Sequence, residues 1–161
     1  MLDRVQDNSV QSSGDLFLPD FFEGETRAHG FFETVFGTPK RYFRADISGR
    51  WEGSRFRMDE DFLFDDGEQE SRTWWLEVDP DAGANAIRAF CAETPEAGIG
   101  EHNGRICNLT YRFRLAVGDK SLMVRFRDLF VLAGDNTLLN RGKVSKWGLP
   151  VGQLVIAFRK V

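Results

Sequence analysis

Cysteine, histidine and tyrosine occur only twice each in these 161 residues, proline only five times, and no long apolar run is present. Two cysteines cannot build a disulfide framework. Folding residues 84–93 back on residues 105–117 would bring Cys91 near Cys107, but without an export signal the expected state is a pair of reduced, buried thiols. Neither His29 nor His102 stands in a ligand-spaced cluster with cysteines or carboxylates, so no structural zinc site is expected. His29 is out of phase with the apolar face of its segment and His102 falls in a glycine-rich stretch. Both therefore read as surface side chains rather than as a haem ligand inside a barrel, and neither a metal nor a cofactor is expected. A signal peptide needs an apolar stretch of about 7–15 residues and a membrane helix about 20. Lacking both, the chain reads as soluble and cytoplasmic. Its net charge is −4 with acidic and basic residues interleaved, which argues against an extended nucleic-acid-binding surface.

Phenylalanine, by contrast, occurs 15 times, and a half-buried sheet favours such residues. The length suits a single domain. Residues 1–15 are polar and read as a loose tail; residues 16–161 form the domain. It begins with an apolar stretch, 16–22, interrupted by Pro19, which fits a short helical turn that plugs one end. Beyond it nearly every segment alternates with period two, and tight turns separate the segments, among them Gly37-Thr38-Pro39, Asp65-Asp66-Gly67 and Gly118-Asp119. No segment carries a sustained helical repeat. About nine or ten strands at short spacing predict an all-β domain, a sandwich or an up-and-down antiparallel barrel, and the barrel is preferred because short hairpins need no crossover and closure removes exposed edges.

Residues 56–76 carry the most information. Phe56, Met58, Glu60, Phe62 and Phe64 share one face of a strand, and Arg72, Trp74 and Leu76 share one face of the next. A three-residue loop at Asp65-Asp66-Gly67 sets Phe56 opposite Leu76, Met58 opposite Trp74 and Glu60 opposite Arg72. A carboxylate and a guanidinium thus meet on an aromatic wall, as in a polar-tipped cavity. The Gly118-Asp119 turn sets Tyr111 against Phe126, Phe113 against Val124 and Leu115 against Leu122. A four-residue loop at 133–136 would set Phe130 against Leu139 and Asp128 against Arg141, which gives a second inward ion pair. Buried ion pairs contribute little net stability. Two in one barrel therefore point to an occupied interior, in which Arg72 or Arg141 receives the anionic end of a ligand. An arginine beside Glu60 should also depress its pKa.

Two other patterns are weaker. Gly98, Gly100 and Gly104 superficially resemble a phosphate loop, but the segment after them alternates as a strand rather than opening a helix; a mobile lid at the barrel mouth is expected there. On the outer face Arg112 is set opposite Arg125, with Arg114 and Arg127 alongside. Like charges placed opposite are unfavourable, so this face reads as solvated, with weak contact to an anionic surface as the functional alternative.

Several short motifs together resemble an uncharacterised bacterial family, the domain of unknown function 3833. They are Gly24 with Ala28-His29-Gly30, Asp59-Glu60-x-Phe62-x-Phe64-x-Asp66-Gly67, Arg72-Thr73-Trp74, Phe126-x-Asp128, Asn140-Arg141 and Ser145-Lys146-x-Gly148, spread over about residues 21–160. The resemblance implies a lipocalin-like barrel and a link to lipid metabolism or the cell envelope, since some similar proteins look like lipoproteins. This chain lacks a lipoprotein signal. The resemblance implies no catalytic residue.

The reading is therefore non-catalytic binding of a small amphipathic or lipid-like ligand inside the barrel, linked to fatty-acid or membrane-lipid metabolism. Glu60, Arg72, Asp128 and Arg141 would supply its polar contacts. Trp74, Tyr111, Phe126 and Phe130, together with Phe56 and Phe62, would line the apolar part. The alternative is an enzyme of isomerase or cyclase type acting on a lipid-like substrate, with Glu60 or Asp128 as the acid or base.

Overall fold

A computed structural model describes residues 14–161 apart from Asp79 and Ala84. Residues 1–13 of the expected tail lie outside the described residues. One short helix, α1 (Leu18–Phe22), precedes ten strands: β1 (Gly24–Thr34), β2 (Pro39–Glu52), β3 (Arg55–Phe64), β4 (Gln69–Val78), β5 (Ala86–Phe90), β6 (Gly98–Asn103), β7 (Ile106–Val117), β8 (Lys120–Gly134), β9 (Thr137–Lys146) and β10 (Leu149–Lys160). Each strand pairs antiparallel with its sequence neighbour, and β1 pairs with β10, so the sheet closes into an up-and-down barrel. Among the described residues no helix is long and apolar enough to cross a membrane.

The predicted registers of two hairpins hold: Glu60 pairs with Arg72 and Met58 with Trp74, and Tyr111 pairs with Phe126 and Arg112 with Arg125. Turn length fixes both. Gly67 (φ 86°) and Gly118 (φ 62°) adopt the left-handed backbone that closes such short loops.

α1 covers one end of the barrel. Leu16, Leu18, Phe21 and Phe22 are buried, and the Phe22 ring meets Phe158 edge-on at 5.1 Å. Gly49 of β2 lets the helix seat closely, because a Cβ there would run into the Phe22 carbonyl oxygen and the Phe56 ring. At the α1 end of the barrel, Phe56, Ile87 and Leu138 are fully buried in the same core as Leu16, Leu18 and Phe21.

The glycine-rich stretch is not a lid. Residues 98–103 form strand β6, with Gly98, Gly100 and His102 buried and Ile99, Glu101 and Asn103 exposed. A Cβ on Gly100 would approach Asn108 O to 2.8 Å and Ile87 Cγ2 to 2.9 Å, so the missing side chains let β6 lie close to β5 and β7. His102 is likewise a buried strand residue rather than a surface one. Its Nε2 accepts the Leu18 N–H at 3.1 Å, which leaves the ring proton on Nδ1, 3.2 Å from Asn85 O. Burial lowers its pKa, in keeping with a neutral ring that tethers the plug.

Candidate functional site

Beside these packed residues the interior opens into a cavity of about 630 Å³. It runs from Leu18 and Phe22 of α1 to Val117 and Val151 at the far end. Trp74, Tyr111, Phe126 and Phe130 all line it. Tyr111 stacks on Phe126 at 5.2 Å and receives the edge of Trp74 at 5.2 Å, which makes one stiff aromatic wall; Phe62 and Phe64 stack at 6.0 Å and belong to the same lining.

Polar groups enter from β3, β4, β7, β8 and β9 and from the connection between β5 and β6. The Arg72 guanidinium lies over the Phe113 ring at 4.8 Å and the Phe62 ring at 5.4 Å. Its Nη2 reaches Glu70 at 3.4 Å, while its Nε stands 3.6 Å from Glu93 Oε2. That last separation is too long for a hydrogen bond. Arg72 Nε and Glu93 Oε2 are both buried and neither has a hydrogen-bond partner. The two groups form an ion pair at the cavity wall, yet this donor and this acceptor each keep an unmet hydrogen-bonding site, which buried polar atoms in native proteins seldom do.

The two buried carboxyl groups are proton-holding. Burial pushes Glu60 up to about 7 against the opposing pull of Arg72, and the Asp128 charge pushes the same way as burial. The expected depression of Glu60 by its arginine is thus reversed, because desolvation outweighs attraction here. Burial also raises Asp128 to about 7, although hydrogen bonds from Tyr111 and Asn140 favour its charged form. The Tyr111 hydroxyl, buried beside Asp128, is shifted well above its ordinary value and stays protonated. Burial raises both thiols, Cys91 and Cys107, to about 12, so neither is a nucleophile near neutral pH. Among the described residues no three His, Cys, Asp or Glu side chains gather as metal ligands would.

The family described as Protein of unknown function (DUF3833) matches residues 3–160. The chain belongs to DUF3833. No curated protein matches it by sequence. Among solved structures, the S-type phycobiliprotein lyase CPES from Guillardia theta aligns with TM-score 0.67 and 10% identity over 89% of this chain and 90% of its own. Rv2717c from M. tuberculosis aligns with TM-score 0.64 and 15% identity over 91% of this chain and 99% of its own. At such identities the likeness shows a shared lipocalin-like barrel and nothing finer.

Against this DUF3833 barrel one expected ion pair fails. Arg141 is exposed on the outer wall and pairs with Leu129, while Asp128 pairs with Gly142 and Phe130 with Asn140. The turn closes Gly134 on Thr137, and a register shift between Leu132 and Gly134 then moves the pairing by one residue. A one-residue slip turns every side chain of the strand to the opposite face. Asn140 and Gly142 take the inward places; Asp128 Oδ1 sits 2.5 Å from where a Gly142 Cβ would be, so only glycine leaves room for the carboxylate. Phe56 is also corrected: it is 0% exposed, packed in the core and not part of the cavity lining.

Sequence reasoning missed Asn140 and Glu93. Asn140 was legible, since Leu138, Asn140, Gly142 and Val144 alternate against Leu139, Arg141 and Lys143, and a face with two adjacent cations belongs in solvent. Glu93 was not, because it lies between β5 and β6 and reaches Arg72 only through the fold. Outside, His29 is exposed as expected. Arg112 is held by Glu96 in a two-pronged contact at 2.6 and 2.7 Å, whereas Arg114, Arg125 and Arg127 are exposed and make no ion pair among the described residues.

Proposed function

We propose that this barrel holds a small amphipathic molecule, such as a fatty acyl compound, with its polar end at Arg72 and its apolar body along Trp74, Tyr111, Phe126 and Phe130. The observation that carries this reading is the unsatisfied pair Arg72 Nε and Glu93 Oε2 inside a cavity of about 630 Å³. A ligand head group with an acceptor for the guanidinium and a donor for the carboxylate satisfies both. The cavity falls within the usual volume range of small-molecule sites, about 300–1,000 Å³, and has their apolar walls with few polar groups. Arg141, outside the barrel, takes no part. The role is carriage or sequestration in fatty-acid or membrane-lipid metabolism, in the cytoplasm. The phycobiliprotein lyase likeness brings no activity with it.

Native mass spectrometry of protein purified from cells tests this. A bound small molecule is expected in the wild type and in Arg141→Ala, and is lost in Arg72→Ala. An empty wild-type barrel, or an unchanged adduct in Arg72→Ala, rejects the reading.

A second reading has its own observation: Glu60 and Asp128 both hold their protons up to about 7, where a general acid or base is most effective. An isomerase or cyclase acting on a lipid-like substrate then loses turnover in Glu60→Gln while the substrate still binds.

A further inference from the structure

The end of the barrel opposite α1 is where the cavity opens, since Val117, Val151 and Arg41 line it there. Three hairpin tips surround that mouth, and each carries apolar side chains that cover nothing. The β1–β2 turn exposes Val35 at 51% and Phe36 at 91%, the β7–β8 turn exposes Val117 at 55%, and the β9–β10 turn exposes Trp147 at 88% and Leu149 at 67%. These tips are contiguous, because β2, β1, β10, β9, β8 and β7 are successive neighbours round the barrel. Exposed apolar residues scattered singly need no explanation, whereas a set gathered round an opening does.

Trp147 is a second, independent sign. It is the one non-glycine residue with positive φ among the described residues, at 53°, followed by Gly148 at 77°. A turn of this kind favours asparagine or glycine at that place. A tryptophan there strains the backbone, and the residue is 88% exposed, with Lys146 Nζ 4.3 Å from the ring centroid. The fold gains little from it.

Charge completes the pattern. On the outer wall below the β7–β8 and β9–β10 tips, Arg114, Arg125, Arg127, Arg141 and Lys143 are exposed and make no ion pair among the described residues. The opposite arc of the rim is acidic: the β3–β4 turn carries Asp65, Asp66 and Glu68, and Arg41 is engaged by the last two at 3.3 and 2.6 Å. Other exposed cations without an ion pair among the described residues, such as Arg44, Arg88 and Arg159, stand singly on other strands. On this chain of net charge −4, by contrast, five gather on the wall beneath the apolar tips.

We infer that this arc of the rim docks on a lipid bilayer bearing anionic head groups, with Phe36, Trp147 and Leu149 entering the interface and the arginine wall lying against the head groups. An exposed tryptophan beside a lysine suits the interfacial region of a bilayer, and unpaired surface cations add attraction to anionic lipid. The mouth of the cavity then faces the membrane. Docking does not depend on the cavity reading, because it is measured without a bound ligand.

Co-sedimentation with phosphatidylcholine vesicles, with and without phosphatidylglycerol, tests it. The wild type is expected to sediment with the phosphatidylglycerol vesicles, less so at high salt. The triple variant Phe36→Ser, Trp147→Asn, Leu149→Ser should lose about tenfold or more in vesicle affinity while its melting temperature holds or rises, since asparagine suits the turn. Should the triple variant fail to fold, the double variant Arg125→Glu, Arg127→Glu is the check, with the same loss expected. Failure of the wild type to bind, equal binding by a folded triple variant or by the double variant, or a solution dimer that the rim substitutions dissociate would overturn the inference, the last assigning the rim to a second copy of the chain.

Discussion

At the α1 end, Phe56, Ile87 and Leu138 are fully buried, whereas Phe62, Trp74, Tyr111 and Phe130 stay only partly buried around the cavity. Both halves read alike as alternating apolar sequence. What separates them is Glu60, Arg72 and Asp128, which project into the second half. Such groups demand partners or polar surroundings, and the stiff aromatic rings beside them do not fold over to fill the gap. The same alternation therefore builds a packed core at one end and a container at the other.

The largest expected effect tests that contrast directly. Phe56→Ala should cost about 3–5 kcal/mol, because a close-packed core cannot collapse into the vacancy, while Phe62→Ala, beside existing open space, should cost about 1 kcal/mol or less. Denaturant unfolding of both variants measures the difference; equal costs would mean that the two halves are packed alike.

Next comes pH. Unfolded Glu60 and Asp128 ionise near their ordinary 4.5 and 3.8, and folded near 7. Between those values the folded state binds more protons, so stability is fully present below the ordinary values and falls as pH rises through 7, by about 3 kcal/mol for Glu60 and about 4 kcal/mol for Asp128. Glu60→Gln and Asp128→Asn should each flatten this decline in a pH series of unfolding curves. A slope that neither variant changes would show that the hollow half is more polar than its aromatic lining implies.

His102→Ala addresses the plugged end. It leaves the Leu18 N–H without its acceptor, at a cost of about 1–3 kcal/mol. Hydrogen exchange should then speed up in α1 and leave the β7–β8 hairpin protected. The smallest effect belongs to Arg141→Ala, which should change stability by less than about 0.5 kcal/mol as an exposed residue without an ion pair. A larger loss would place Arg141 in contact with the interior after all.

The amino-acid sequence alone determined every strand except β6, the antiparallel barrel, and the face shared by Glu60, Arg72, Trp74, Tyr111 and Phe126. These arise from period-two alternation and from turns whose length sets register, as at Gly67 and Gly118. Only the tertiary structure decided three things. The register shift between Leu132 and Gly134, which no turn motif announced, set Asp128 opposite Gly142 rather than Arg141, although the alternation of β9 already hinted which of its faces turns inward. Glu93 joined Arg72 from the chain between β5 and β6. The protons of Glu60 and Asp128 depend on how much wall surrounds them, and that wall exists only once β1 has closed on β10. Alternation and turn length act between residues close along the chain; desolvation and cavity volume arise from residues far apart, and so have no local signature.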